Sequence, residues 1–219
     1  MTFLRKNIMA ATGLFLCFFL IIHLGGNLIL LLPAEVSHSL YNRYSHTLGE
    51  NLLIKLVSLL LYFSIILHSL VALKITIENK KARGESYSVK DNAEVTSWTS
   101  QNMGLLGFFI LFFIIIHMAN LWARVKLGLG DFVELDSSGL KDIYQITHTL
   151  FQNPLYVTFY SLSMIPLALH LRHGVISAFR TLGLYHKRYI RFIDKVSKIY
   201  SAVIFVGFAI IPIVVYFRG

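Results

Sequence analysis

The sequence predicts an all-α integral membrane protein, a five-transmembrane-helix bundle with its N-terminus cytoplasmic and its C-terminus outside. Three observations carry this. Hydrophobic residues make up 56% of the 219, and the mean hydropathy of +0.65 does not fit a soluble domain of that length. Five uninterrupted apolar runs, at residues 4–32, 52–77, 103–125, 154–178 and 199–217, each hold the roughly 18 or more residues that mark a spanning helix. The basic residues are also sorted by side, 14 of the 20 lysines and arginines falling on the side of the N-terminus. The chain reads as one domain, residues 1–219.

Taken in order, the first run follows Arg5 and Lys6 as a signal peptide would. It is too long for the apolar region of one, and no small-residue cleavage site closes it, so it is expected to stay as helix I. It holds the single cysteine, Cys17, which excludes disulfides and cysteine metal sites. Residues 33–51, with His38, Arg43, His46 and Glu50, read as a polar outer loop. After helix II, the charged stretch 78–101 is inner, and its Lys80-Lys81-Ala-Arg-Gly-Glu cluster suits a solvated or protein-docking surface. After helix III, residues 128–153 are outer, with room for a short surface helix near 140–151. Helix IV carries Pro166, and helix V closes the chain. His38, His46, His148 and His186 fall in or near the connections and read as surface histidines.

The net charge of +9 is explained by this topology. Arg5, Lys6, the 74–90 stretch and the 172–198 stretch lie inside. Only Arg43, Lys55, Arg124, Lys126, Lys141 and Arg218 lie outside. The excess describes orientation and an inner docking face, not nucleic-acid binding. No repeat, P-loop, dinucleotide fingerprint or catalytic triad occurs.

What the chain is organised around is four intramembrane histidines, one on each of helices I–IV: His23, His68, His117 and His170. An imidazole in hydrocarbon is costly and marks function by default. Helices I and III run outward, which puts His23 and His117 about 22 Å from the inner surface. Helices II and IV run inward, which puts His68 and His170 about 24 Å from the outer surface. The histidines therefore sort into an outer pair and an inner pair, roughly 15 Å apart along the normal. Two imidazoles at one height on facing helices suit a bis-histidine haem, and two pairs suit two. No Cys-x-x-Cys-His is present, so thioether links are excluded. Interhelical hydrogen bonds or a histidine-relay transporter would also use such residues, though neither calls for two layers sorted by helix parity.

Neighbouring residues bear on the same sites. Gly25, Gly26, Gly104 and Gly107 would let a flat macrocycle approach the backbone, or serve helix packing. Asn27 and Asn120 lie on the faces that carry His23 and His117, where they could bond a quinone, outer propionates or another helix. Glu50 stands before helix II as a candidate proton carrier, or as an acidic residue suited to the helix dipole. Arg172, His173 and Arg180 lie near the inner mouth. His173, three residues from His170, points off the ligand face.

These motifs resemble a known family. Phe-Leu-Ile-Ile-His23-Leu-Gly-Gly-Asn27, Ile-Ile-Leu-His68-Ser-Leu, Ile-Ile-Ile-His117-Met-Ala-Asn-Leu-Trp122 and Leu-His170-Leu-Arg-His-Gly174, followed by Ser177-Ala-Phe-Arg-Thr-Leu-Gly183, are similar to the di-haem cytochrome b membrane anchor of succinate dehydrogenase/fumarate reductase, the five-helix single-subunit type. The resemblance covers the whole chain. It implies two haems b, the outer iron held by His23 and His117 and the inner by His68 and His170. It also implies a flavoprotein and an iron–sulfur subunit on the cytoplasmic face of a bacterial-type inner membrane. Electrons would be exchanged with a quinone, commonly menaquinone, for which Glu50, Asn27 and Asn120 are the site candidates. Some fumarate reductase members carry a glutamate two residues before the helix IV ligand for transmembrane proton transfer. Here that position is Ala168, which puts such a path in doubt. A di-haem anchor of a hydrogenase or formate dehydrogenase is the alternative.

Overall fold

Long apolar runs fold as helices in a hydrocarbon solvent because no water is present to satisfy a free backbone group. The computed structural model, which describes residues 3–82, 98–130, 132–184 and 186–219, shows that outcome. Helix α1 (Phe3–Asn27) continues through a 3₁₀ turn, Leu28–Leu31. Then come α2 (Ala34–Glu50), α3 (Leu52–Ala82), α4 (Trp98–Gln101) and α5 (Met103–His117). A π-helical stretch (Met118–Ala123) joins α5 to α6 (Arg124–Leu127), and α7 (Ile143–Phe151), α8 (Pro154–Thr181) and α9 (Ile190–Arg218) follow.

Five segments are long and apolar enough to cross a membrane: Phe3–Leu31, Leu52–Lys81, Met103–Leu127, Pro154–Thr181 and Ile190–Arg218. At 25 to 30 residues, all are longer than the roughly 20 a bilayer core requires, so they tilt or protrude. Their outward faces carry large apolar side chains such as Leu59, Phe63, Phe108 and Ile115, as lipid contact demands. The chain is a multi-pass membrane protein.

Three boundaries differ from the sequence expectation, each for a readable reason. The stretch 33–51 is not a loop but the 17-residue helix α2, whose polar average hides one buried face, Ser37, Tyr41 and Asn42. Helix α9 begins at Ile190 rather than 199, because its first turns are amphipathic. Ile193 and Ser197 are buried there while Asp194 and Lys198 pair on the outside. Helix α3 runs on to Ala82, and Glu78 in that extension takes both oxygens to Arg5 of α1, at 2.7 and 2.8 Å. The charged cluster from Arg83 onward lies outside the described residues. The surface helix expected near 140–151 is α7.

Packing sets the order of the helices. Helix α1 packs on α3 and α8, and α5 packs on the same two. The four therefore form a ring in which α1 faces α5 and α3 faces α8. Helix α9 lies outside it, against α8 and α1. Polar ties fix it there: Ser197 donates to the Arg172 carbonyl (2.7 Å) and Tyr200 to the Cys17 carbonyl (2.8 Å). Arg218 donates to the carbonyls of Leu31 and Leu32 at 2.7 and 2.9 Å. A buried apolar cluster, with Leu24, Tyr41, Phe151, Tyr160, Ile204 and Ile211, lies where α1, α8 and α9 meet α2 and α7.

Small residues set how closely these helices approach. A Cβ on Gly207 would lie 2.7 Å from Leu24 Cδ2, and Leu24 is itself buried. Gly207→Val should overpack the α1–α9 seam and destabilise the protein by about 1–3 kcal/mol. Thermal unfolding in detergent is the measurement, and an unchanged midpoint would show that the seam can yield.

Candidate functional site

Each of the four intramembrane histidines stands on a different helix of the ring. His23 (α1) and His117 (α5) meet with ring centroids 5.8 Å apart and planes at 80°. His68 (α3) and His170 (α8) meet at 6.3 Å and 65°. These are the two diagonals of the ring, and the pairs are the ones that helix direction and depth predict.

The layers can be measured along the helices. A Cβ on Gly13 would lie 3.4 Å from the His68 ring, and Gly13 is ten residues from His23 on α1. A Cβ on Gly107 would lie 3.9 Å from the His170 ring, and Gly107 is ten residues from His117 on α5. Ten residues rise about 15 Å, so the pairs are separated by close to three helical turns.

Aromatic side chains hold the His23–His117 pair. Phe19 stacks on His23 (5.1 Å, 17°), Phe113 stacks on His117 (5.6 Å, 22°), and Phe208 and Tyr160 complete the wall. The inner pair has small neighbours instead, Gly13, Gly107 and Gly174. Of the glycines singled out in the sequence, only Gly107 lies by a histidine ring. Gly26 accepts the Tyr44 ring, Gly104 accepts Thr76, and Gly25 faces nothing within 4 Å.

The ring nitrogens test what the pairs can hold. A metal between two imidazole nitrogens, at roughly 2 Å each, puts the ring centroids about 6 Å apart. Both pairs have that spacing. Among the described residues, Nδ1 of His117 and of His170 is buried without a hydrogen-bond partner. His68 Nδ1 lies 3.0 Å from Thr12 Oγ1, and His23 Nδ1 lies 3.4 Å from Asn27 Nδ2. Each pair supplies two ligands, which suits an iron whose other four come from a macrocycle. His173 is not paired with His68, so His170 is the better placed of the two.

The other candidates separate. Asn27 is at the outer pair: it donates to its own turn at the His23 carbonyl (2.8 Å) and accepts from the Tyr41 hydroxyl (3.3 Å). Burial pushes the Tyr41 hydroxyl up to about 12, offset in part by a hydrogen bond with Thr147, so it stays protonated and donates. Asn120 lies in the π-helical stretch, beside Tyr160. One extra residue in a turn there rotates it relative to His117. Glu50 ends α2 at the surface, 3.2 Å from Lys55, whose hydrogen bond and charge hold its carboxyl below the usual range. Asn51, not Glu50, caps α3, accepting from the Ile54 N–H at 3.2 Å.

Sequence reasoning missed the polar clasp that fixes α2 on α7. His38 Nε2 donates to Asp142 (2.8 Å), and its ring stacks on Tyr144 at 4.7 Å, so this is not an ordinary surface histidine. Asn42, fully buried, donates to Asp136 and Asp142 at 2.9 and 3.0 Å and accepts from the Tyr144 N–H at 2.8 Å. Asp142 also caps α7 through the Gln145 N–H. Polar residues at i and i+4 on α2, His38 and Asn42, were the available signal.

Comparison of the chain with known protein families, with curated proteins and with solved structures finds no match.

The clasp has a pH dependence of definite sign. Burial pushes the Asp142 carboxyl up, but hydrogen bonds from Asn42, the Gln145 N–H and His38 outweigh that and hold it below its ordinary value. Its contribution is therefore complete above the free carboxyl pKa of about 3.9 and is lost as the pH falls through the lower folded value. Hydrogen-exchange protection factors for the Tyr144 and Gln145 amides should fall with acid, while those of the α8 interior hold. Asn42→Ala should lower the same two at neutral pH, by about 1–3 kcal/mol of local stability.

Proposed function

We propose that this chain is the cytochrome b membrane anchor of a succinate:quinone oxidoreductase of the succinate dehydrogenase/fumarate reductase type. The observation that carries the reading is the pair of histidine diagonals, 5.8 and 6.3 Å between centroids and about 15 Å apart in depth. His23 and His117 would hold one haem b, and His68 and His170 the other. When bound, haem b supplies one-electron transfer.

The chain's own residues hold and orient. Helices α1 and α5 bring one pair together across the ring, and α3 and α8 the other. Phe19, Phe113 and Phe208 immobilise the outer imidazoles and exclude water. The end that carries Arg172, Arg180, Lys187, Arg188 and Arg191 is the proposed cytoplasmic face, where an iron–sulfur subunit and its flavoprotein would dock. The opposite end, under α2 and α7, is the proposed quinone end. Asn27 stands against His23, whereas Glu50 lies at the surface beside Lys55, so Asn27 is the better-placed headgroup contact. Glu50, held as a carboxylate by Lys55, has no proton to give at neutral pH.

The test is haem content of the purified protein. Two haems b per chain are expected. His68→Ala and His170→Ala should remove the same one, His23→Ala and His117→Ala the other, and His173→Asn neither. A cross-layer result, His68→Ala removing the haem lost in His117→Ala, would overturn the assignment. Succinate dehydrogenase partners are expected to co-purify, and a hydrogenase or formate dehydrogenase in their place would redirect the reading.

Quinone handling is checked separately. Asn27→Leu should lower quinone turnover about tenfold or more, with haem content and succinate oxidation by an artificial acceptor unchanged. Glu50→Gln should change it by less than about twofold. The reverse ranking would return Glu50 to the mechanism.

A further inference from the structure

Among the four histidines, His68 differs in what its second nitrogen meets. Thr12 of α1 brings its Oγ1 to 3.0 Å from His68 Nδ1. That hydroxyl has one proton, and the Ile8 carbonyl lies 2.7 Å from the oxygen, in position to take it. Toward His68 the hydroxyl therefore accepts, and Nδ1 carries the hydrogen. The neutral ring is left with its lone pair on Nε2. Gly13 lies beside the contact, where a Cβ would come to ordinary contact distance, 3.4 Å, from the same imidazole.

The other three lack this arrangement. Nδ1 of His117 and of His170 has no hydrogen-bond partner. His23 Nδ1 faces the amide nitrogen of Asn27, whose oxygen is already taken by Tyr41. Among the described residues, an accepting oxygen on Nδ1 is found at His68 alone of the four.

We infer that Thr12 is a positioning residue for His68, fixing the tautomer that ligates through Nε2 and lowering the midpoint potential of the haem that His68 and His170 would share. This rests on the di-haem reading. The physical cause is that an acceptor on Nδ1–H raises the basicity of the ring, and a more basic axial ligand favours ferric iron over ferrous. The residue acts from α1, across a helix contact, on a ligand of α3. It is thus separate from the pair it tunes.

The experiment is a spectroscopic redox titration of the intact complex in three forms: wild type, Thr12→Val and Thr12→Ser. Valine keeps the shape and removes the oxygen, whereas serine keeps the oxygen. Thr12→Val should move one midpoint upward, and that haem should be the one missing in His68→Ala. The other midpoint should stay, and Thr12→Ser should match wild type. Should Thr12→Val fail to assemble, Thr12→Ala removes the same oxygen with less bulk and is read the same way. Unmoved midpoints would overturn the inference, as would a Thr12→Ser shift as large as that of valine, or a shift of the haem lost in His23→Ala. A wild-type preparation without two haems would instead remove the di-haem reading itself, so the two failures are distinguishable.

Discussion

An imidazole inside a membrane must be satisfied by something, and that constraint shapes this structure. A helix that carries one histidine at mid-depth gains nothing from lipid and has to present it to another helix. With one histidine on each of four helices, and with alternate helices running in opposite directions, the histidines meet only as two pairs. In the ring order α1–α3–α5–α8 each pair lies across a diagonal. Helix α9 has no such residue and packs on the outside, held by hydroxyl-to-carbonyl bonds from Ser197 and Tyr200.

A three-turn offset recurs in the ring. Thr12 and Gly13 lie 11 and 10 residues before His23, Gly107 lies 10 before His117, and Tyr160 lies 10 before His170. Each sits one layer away from the histidine of its own helix and beside a histidine of another. Eleven residues return an α-helix to nearly the same face, and ten fall about 80° short, so Thr12 shares the face of His23 while Gly13, Gly107 and Tyr160 flank the faces of their helices' histidines; one helix thus serves both layers. This pattern is visible in the sequence once the layers are known. Nothing about Thr12 or Tyr160 alone announces it.

The five spans, the order of the histidines and their pairing were legible because lipid removes most alternatives. Apolar length defines a span, and helix direction converts position into depth. The parts that were not legible lie where water returns as a competitor. Helix α2 averages to a polar segment, and its buried side is made of Ser37, Tyr41 and Asn42 rather than of leucines. The partners that satisfy Asn42 are Asp136, Asp142 and the Tyr144 amide, roughly 100 residues away. No periodicity reports a pairing of that range. Glu50 differs: its partner Lys55 is only five residues on, but whether an exposed lysine reaches it is settled by side-chain conformation, not by spacing.

The two ends of the bundle are built for different neighbours. At the α2/α7 end, several charges are tied to one another or to backbone: His38 to Asp142, Lys55 to Glu50, and Lys141 to the Val125 carbonyl at 2.7 Å. At the opposite end, α9 begins in a run that holds Arg188, Arg191, Lys195 and Lys198, of which Lys198 pairs with Asp194. Like charges within one or two turns of a helix repel, and lipid phosphate or an acidic protein surface would offset that. That cationic run is the end which the proposed reading turns toward the anionic leaflet and an iron–sulfur partner, with the α2/α7 end toward the quinone.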